Sequence, residues 1–176
     1  MRKVTLGLAN SLDNYIARKD GASDWLMYGQ EVADMTAEFM KTIDAILIGR
    51  KTYDVMLKYG STSYPGAKNY VFSRTMKESR DKNVEIISED ARVFVKKMKA
   101  EEGKGICLFG GGELAKSLFE EDLIDEIVLN IHPVLLGSGV PLFHEMKRQI
   151  DLELIDCKSC KRGNIIVTYR VKRGER

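Results

Sequence analysis

Three short stretches carry residue types suited to holding phosphate. In Ile106–Leu114 (ICLFGGGEL), four apolar or small residues run into Gly110, Gly111 and Gly112, followed by Glu113 and Leu114. A strand that turns on consecutive glycines into a helix leaves bare backbone N–H groups at the positive end of the helix dipole, a ready anion site. The same glycines also suit a tight turn that needs positive φ. In the second stretch, DAILI is followed by Gly49, Arg50, Lys51 and Thr52, where free helix N–H groups would meet two cations and a hydroxyl. In the third, NYVF is followed by Ser73 and Arg74, a hydroxyl beside a guanidinium that can grip phosphate bidentately. Each has a plainer reading as a turn or a surface charge. Their coincidence at three predicted strand ends points to a dinucleotide with an extra phosphate.

Those positions depend on the elements that carry them. Residues 3–9 read as a strand, and the polar stretch 11–26 as a loop with Asp-Asn and Asp-Gly turn signals. From Gln30 to Ile43, the residues Val32, Met35, Thr36, Phe39, Met40 and Ile43 recur on one helical face, with Glu31, Asp34, Glu38 and Lys41 opposite. Strands follow at 44–48, 69–73, 84–87, 106–109 and 124–131, with helices through about Lys58, from Asp90 or Ser88 to about Lys99, and over 112–121. Two strand-like runs, 150–158 and 164–171, close the chain around a polar turn. Strands alternating with helices, then a hairpin, predict one α/β domain over 1–176. Its sheet is mainly parallel, with antiparallel strands at one edge.

Composition excludes other classes. The 176 residues are 44% hydrophobic and 31% charged, with a net charge of +2 and scattered basic residues, so no nucleic-acid-binding stripe is present. No apolar run approaches the roughly 18 residues that span a bilayer. With no signal peptide and only three cysteines, a cytoplasmic location is expected. Cys157 and Cys160 form C-x-x-C, but the only histidines are His132 and His144, and the pair lies between strands rather than at a helix start. No metal site is expected. A P-loop and a Rossmann fingerprint are both missing.

Taken together, VTLGLANSLDNYIA (4–17), DWL (24–26), DAILIGRKTYDVM (44–56), VFSR (71–74), LFGGGELAKSLFEEDLIDEIVL (108–129) and HPVLLGSGVPLF (132–143) resemble the dihydrofolate reductase-like superfamily. Within it the chain looks similar to the C-terminal reductase domain of bifunctional riboflavin-biosynthesis deaminase-reductases. The resemblance implies NADPH as cofactor. Ala9 and Ile16 would lie near the nicotinamide, Gly49 to Thr52 would take phosphates, and Ser73 and Arg74 the 2′-phosphate. Gly110 to Leu114 would cradle the pyrophosphate. Related reductase domains often pair, so the resemblance also implies a homodimer, with 132–143 and the final strands as interface.

The resemblance is less specific for substrate. Dihydrofolate reductases hold the pterin with a carboxylate on the first helix, whereas here Asp34 points nearly opposite the apolar face. Asp13, Asp24 and Glu38 are the candidates for orienting substrate or delivering a proton. Trp25, Tyr28, Phe39 and Tyr53 are candidates for the wall of a pocket for a flat heterocycle. The expected reaction is hydride transfer from NADPH to a C=N or C=O carbon of a small pterin- or pyrimidine-like substrate. A ribose reductase of the riboflavin pathway and a nucleotide-binding module without catalysis are the alternatives.

Overall fold

The computed structural model describes residues 1–173. An eight-stranded sheet runs β5-β4-β3-β6-β1-β7-β10-β9, made from β1 (Val4–Ser11), β3 (Ile43–Gly49), β4 (Lys68–Phe72), β5 (Val84–Ile87), β6 (Gly105–Gly110), β7 (Glu126–His132), β9 (Leu152–Ser159) and β10 (Ile165–Val171). Pairing is parallel from β5 to β7, and β10 is antiparallel to both β7 and β9. The architecture is therefore the predicted mixed, mainly parallel α/β sheet with a terminal antiparallel hairpin. A second small sheet pairs β2 (Tyr15–Ala17) with β8 (Val140–Pro141). It was not legible in advance, because strands so short show no periodicity.

Strands covered on both faces read as continuous apolar runs, and β3 (IDAILIG) and β6 (GICLFG) do so. On one face α3 (Ala91–Ala100) and α4 (Gly112–Glu120) bury Val95, Met98, Ala115 and Leu118 against Leu6, Leu47 and Leu108. On the other, α2 (Arg50–Lys58) buries Tyr53 and Met56 against Ile46, Ile48 and Val71. Tyr53, expected in a pocket wall, is 2% exposed and belongs to this core; its hydroxyl bonds Ser79 Oγ at 2.9 Å.

The first helix, α1 (Gln30–Lys41), also covers that second face, but all its residues stay exposed or half-buried. It ends two residues before the predicted limit, since Ile43 is taken into β3, where it is buried. Phe39 and Met40 pack on the second-face core, and a Cβ built on Gly7 of β1 would lie 3.9 Å from the Phe39 ring. Among the described residues no helix is long and apolar enough to cross a membrane.

Candidate active site

The two central strands part at their carboxyl ends. β1 pairs with β6 only over Val4–Leu6, whereas its pairing with β7 continues to Ser11 opposite His132. The chain leaves β1 through α1 to β3 on one side, and β6 through α4 to β7 on the other. The opening between Gly7–Ser11 and Phe109–Gly111 is thus the topological switch point where open α/β sheets bind ligands.

One side of the opening is built for anions. Gly49 and Gly111 are the residues preceding α2 and α4, and a glycine offers no side-chain acceptor, so the first N–H groups of both helices remain available. By contrast, α3 is capped by Asp90, which accepts from Arg92 N at 2.8 Å. A Cβ on Gly49 would lie 3.1 Å from Gly111 N, so β3 and β6 approach as closely as backbone allows. The Gly110–Gly111 peptide is cis, and Gly110 has φ +129°. Thr52 Oγ1 faces both glycines, 3.4 and 3.3 Å from their would-be Cβ positions. Lys51 and Glu113 are exposed, while Leu114 packs partly into the first-face core, leaving its N–H as the group that can serve a ligand.

Further along, Arg50 is held by Asp54 (2.7 Å) and donates to Ser73 Oγ (3.4 Å) and Thr75 Oγ1 (3.2 Å). Beside it, a cavity of about 320 Å³ opens between the ends of β4 and β5 and the start of α3, lined by Ser73, Arg74, Asp90 and Arg92 among others. The structure therefore brings together the glycine turn, Gly49–Thr52 and Ser73–Arg74 along one rim.

The other side of the opening lies under α1. Residues in register on parallel strands share a face, so Gly7 with Val128, Ala9 with Asn130, and Ser11 with His132 form its floor. Ala9 presents only a methyl group there. Ile16, on β2, packs instead toward the first-face core. Phe109 packs against Tyr64 with ring centroids 4.3 Å apart and planes tilted by 52°. Tyr64 is fixed from below by buried Asn69, which accepts from its N–H (2.8 Å) and donates to its C=O (2.9 Å). Burial pushes the Tyr64 hydroxyl well above its ordinary pKa and the Cys107 thiol up to about 12, so neither ionises near neutral pH.

The three acids expected in this site are not brought together. Asp13 is consumed between its own turn and the loop after β7, accepting from Ser11 Oγ (2.6 Å), Gly137 N (2.7 Å) and Leu136 N (3.1 Å). The Ser11 hydroxyl, with those amides, holds its carboxyl below the ordinary range. Asp24 forms an exposed pair with Arg18 at 2.7 Å, which lowers its pKa. Glu38 pairs with Lys41 one turn on, on the solvent side of α1. Of the aromatic candidates, Phe39 covers the floor, Trp25 packs beside it, and Tyr28 is 76% exposed.

Polar residues that the sequence did not single out occupy this floor. Buried Asn164 donates to Asn130 Oδ1 at 2.6 Å. His132, 1% exposed, accepts at Nδ1 from Met27 N (3.3 Å), and its ring meets Trp25 edge-on with centroids 5.5 Å apart. Burial lowers the His132 pKa, so the imidazole is neutral at pH 7. The only available signal was a histidine two residues after an asparagine on a strand, which shows nothing until Trp25 and Met27 fold onto it. Among the described residues no group of histidine, cysteine or acidic side chains is placed to hold a metal ion.

Comparison with known proteins bears on this geometry. The family model described as the RibD C-terminal domain matches residues 2–167. An uncharacterised Bacillus subtilis protein, YwjB, is 39% identical over 155 residues, covering 87% of this chain and 89% of its own. A crystal structure of a Shewanella sp. PV-4 protein assigned to riboflavin biosynthesis superposes with TM-score 0.85 at 29% identity, over 98% of this chain and 100% of that one. Dihydrofolate reductase from Enterococcus faecalis, solved in complex with NADP(H) and RAB-propyl, shares the fold with TM-score 0.72 at 15% identity, over 97% of each chain.

Proposed function

The chain belongs to the RibD C-terminal domain family, and from that premise we propose that it is an NADPH-dependent reductase acting on a small, flat, pterin- or pyrimidine-like heterocycle. When bound, the cofactor supplies hydride to a C=N or C=O carbon. The observation that carries this reading is the parting of β1 from β6 directly beside the close approach of Gly49 to Gly111. A cradle that any Cβ would crowd fits a pyrophosphate lying on the first N–H groups of α2 and α4. Ser73, Arg74 and Arg50 suit a 2′-phosphate, and the adjoining cavity suits the adenosine end.

The protein's share of the chemistry is alignment. Ala9 and Gly7 leave room on the floor for a nicotinamide edge, and Phe39, Phe109 and Trp25 supply apolar surface for a stacked ring. With Asp13, Asp24 and Glu38 engaged elsewhere, the proton that balances the hydride is taken from solvent at the cleft mouth. We also infer that two copies pair through β9 and the 132–143 segment, where Leu154, Ile155 and Leu135 are exposed.

The reaction is tested with NADPH deuterated at each nicotinamide C4 position in turn, against a panel of pterins and pyrimidines. Deuterium in a reduced product from one position is the expected result. NADPH binding without label transfer to any member of the panel would overturn the reductase reading.

A further inference from the structure

β9 is paired on one side only, with β10, and its charges continue a row that crosses the sheet. Lys3 Nζ meets Glu126 Oε1 of β7 at 2.6 Å, Glu126 stands opposite Arg170 of β10, and Arg170 Nη1 meets Glu153 Oε2 of β9 at 3.0 Å. The row alternates in sign and stops at the edge on a carboxylate. Further along β9, Lys158 Nζ lies 3.4 Å from Asp156 Oδ2.

The two faces of β9 follow from its partner strand. Val167 and Val171 of β10 are buried in the first-face core, so Cys157 and Leu152, directly opposite them, share that face, as does Leu154 opposite Tyr169. Glu153, Asp156 and Lys158 stand opposite Arg170, Thr168 and Ile166, on the second face. Ile155 has no opposite residue on β10. It is the extra residue of a bulge, which is why Glu153 and Lys158, an odd number of positions apart, lie on one face.

Charges on an edge strand ordinarily block pairing with another chain. These charges are of opposite sign at mirrored positions. We propose that β9 pairs antiparallel with β9 of a second copy in a single register, Glu153 of each copy facing Lys158 of the other. In a two-fold interface residue i faces j while j faces i, so both ion pairs form at once and extend the row across the junction. On the first face the same register sets Leu154 against Cys157 and Leu152 against Ser159. The strand is thus paired along its whole length, Leu152–Ser159, with the two bulges beside the axis. A slip of one residue would set first-face positions against second-face ones. A slip of two would bring Glu153 onto Asp156, and a slip of three toward the β9–β10 turn would centre the pairing on Cys157. The proposal rests on the pairing of copies through β9 inferred above, not on the reductase reading, and adds its register.

The test is sedimentation velocity of two variants, alone and mixed. In its own dimer Glu153→Lys sets lysine against lysine, and Lys158→Glu sets glutamate against glutamate. Each is expected to self-associate at least about tenfold more weakly than wild type. An equimolar mixture is expected to recover the wild-type dimer, because the two lysines of one copy then meet the two glutamates of the other. The loss of contacts to Arg170 or Asp156 within a chain is the same in the mixture as in each variant alone, so it cannot mimic recovery. Cysteine trapping reads the register separately. Opposite residues have Cα atoms about 4.5–5.5 Å apart, within disulfide range. Leu154→Cys should therefore be linked to Cys157 of the second copy as oxidised glutathione is reduced to two thiols. Wild type should stay unlinked: its Cys157 positions would be about 10 Å apart along the strand, and Cys107 and Cys160 are buried. A mixture as weak as its components, a Glu153→Lys variant that dimerises like wild type, or a wild-type link through Cys157 overturns the register and leaves the pairing standing. A wild-type monomer overturns both.

Discussion

At Gly112 the fold leaves no space for a methyl group. A Cβ there would sit 2.6 Å from the His144 ring and 2.8 Å from Leu142 O, which is backbone and cannot swing aside. Gly112→Ala should therefore cost about 1–3 kcal/mol of stability, read by urea denaturation. A variant as stable as wild type would show that the 142–144 segment is not packed on α4 as described. His132 makes a second prediction. Burial holds its folded pKa below the ordinary value of 6.5, so the unfolded chain binds a proton that the folded one refuses. Its contribution is full above pH 6.5 and is lost as pH falls from there through the folded pKa. From about pH 7.5 to about pH 5 the wild-type melting temperature should fall more than that of His132→Gln, which cannot charge; parallel curves would contradict a buried neutral imidazole. The glycine turn was legible in sequence because Gly110–Gly112 act through local backbone. His132 was not, because its partners Met27 and Trp25 lie a hundred residues away. Asp13 misled for a related reason: only the fold shows that the amides of Leu136 and Gly137 consume its carboxylate.

Among the elements, α1 stands apart. Its apolar face was plain from the spacing of Val32, Met35 and Phe39, yet periodicity reports which side faces inward and not how much lies above it. Here that side is only half-buried, because it roofs the opening beside β1 rather than a closed core. Its N-terminus is steadied by the β9–β10 turn, where Lys161 N donates to Glu31 Oε2 at 3.1 Å. Amides of α1 should therefore exchange with deuterium well before those of β3 and β6, in a mass-spectrometric time course. Protection of α1 equal to that of β3 would show a rigid roof and contradict this reading. The parallel strands β3 and β6 were legible because burial on both faces makes them continuous apolar runs. The parting of β1 from β6 was not, since it depends on register.

At the scale of the molecule, β9 is one of the two edges of the sheet, and all eight of its residues are exposed, with Leu152, Leu154 and Ile155 among them. An edge strand with unpaired backbone groups and apolar side chains invites pairing. Sedimentation velocity should find a dimer at micromolar concentration, and Ile155→Glu should convert it to monomer. A wild-type monomer would return that edge to solvent. In the proposed function, one rim of the split sheet holds a dinucleotide with an extra phosphate while the other presents the substrate. Calorimetric titration of the wild-type protein with NADPH and with NADH tests it most directly. NADPH should bind at least tenfold more tightly, about 1.4 kcal/mol, and Arg74→Ala should remove most of that difference. Equal affinity for the two, or heat from neither, would contradict the account at its centre.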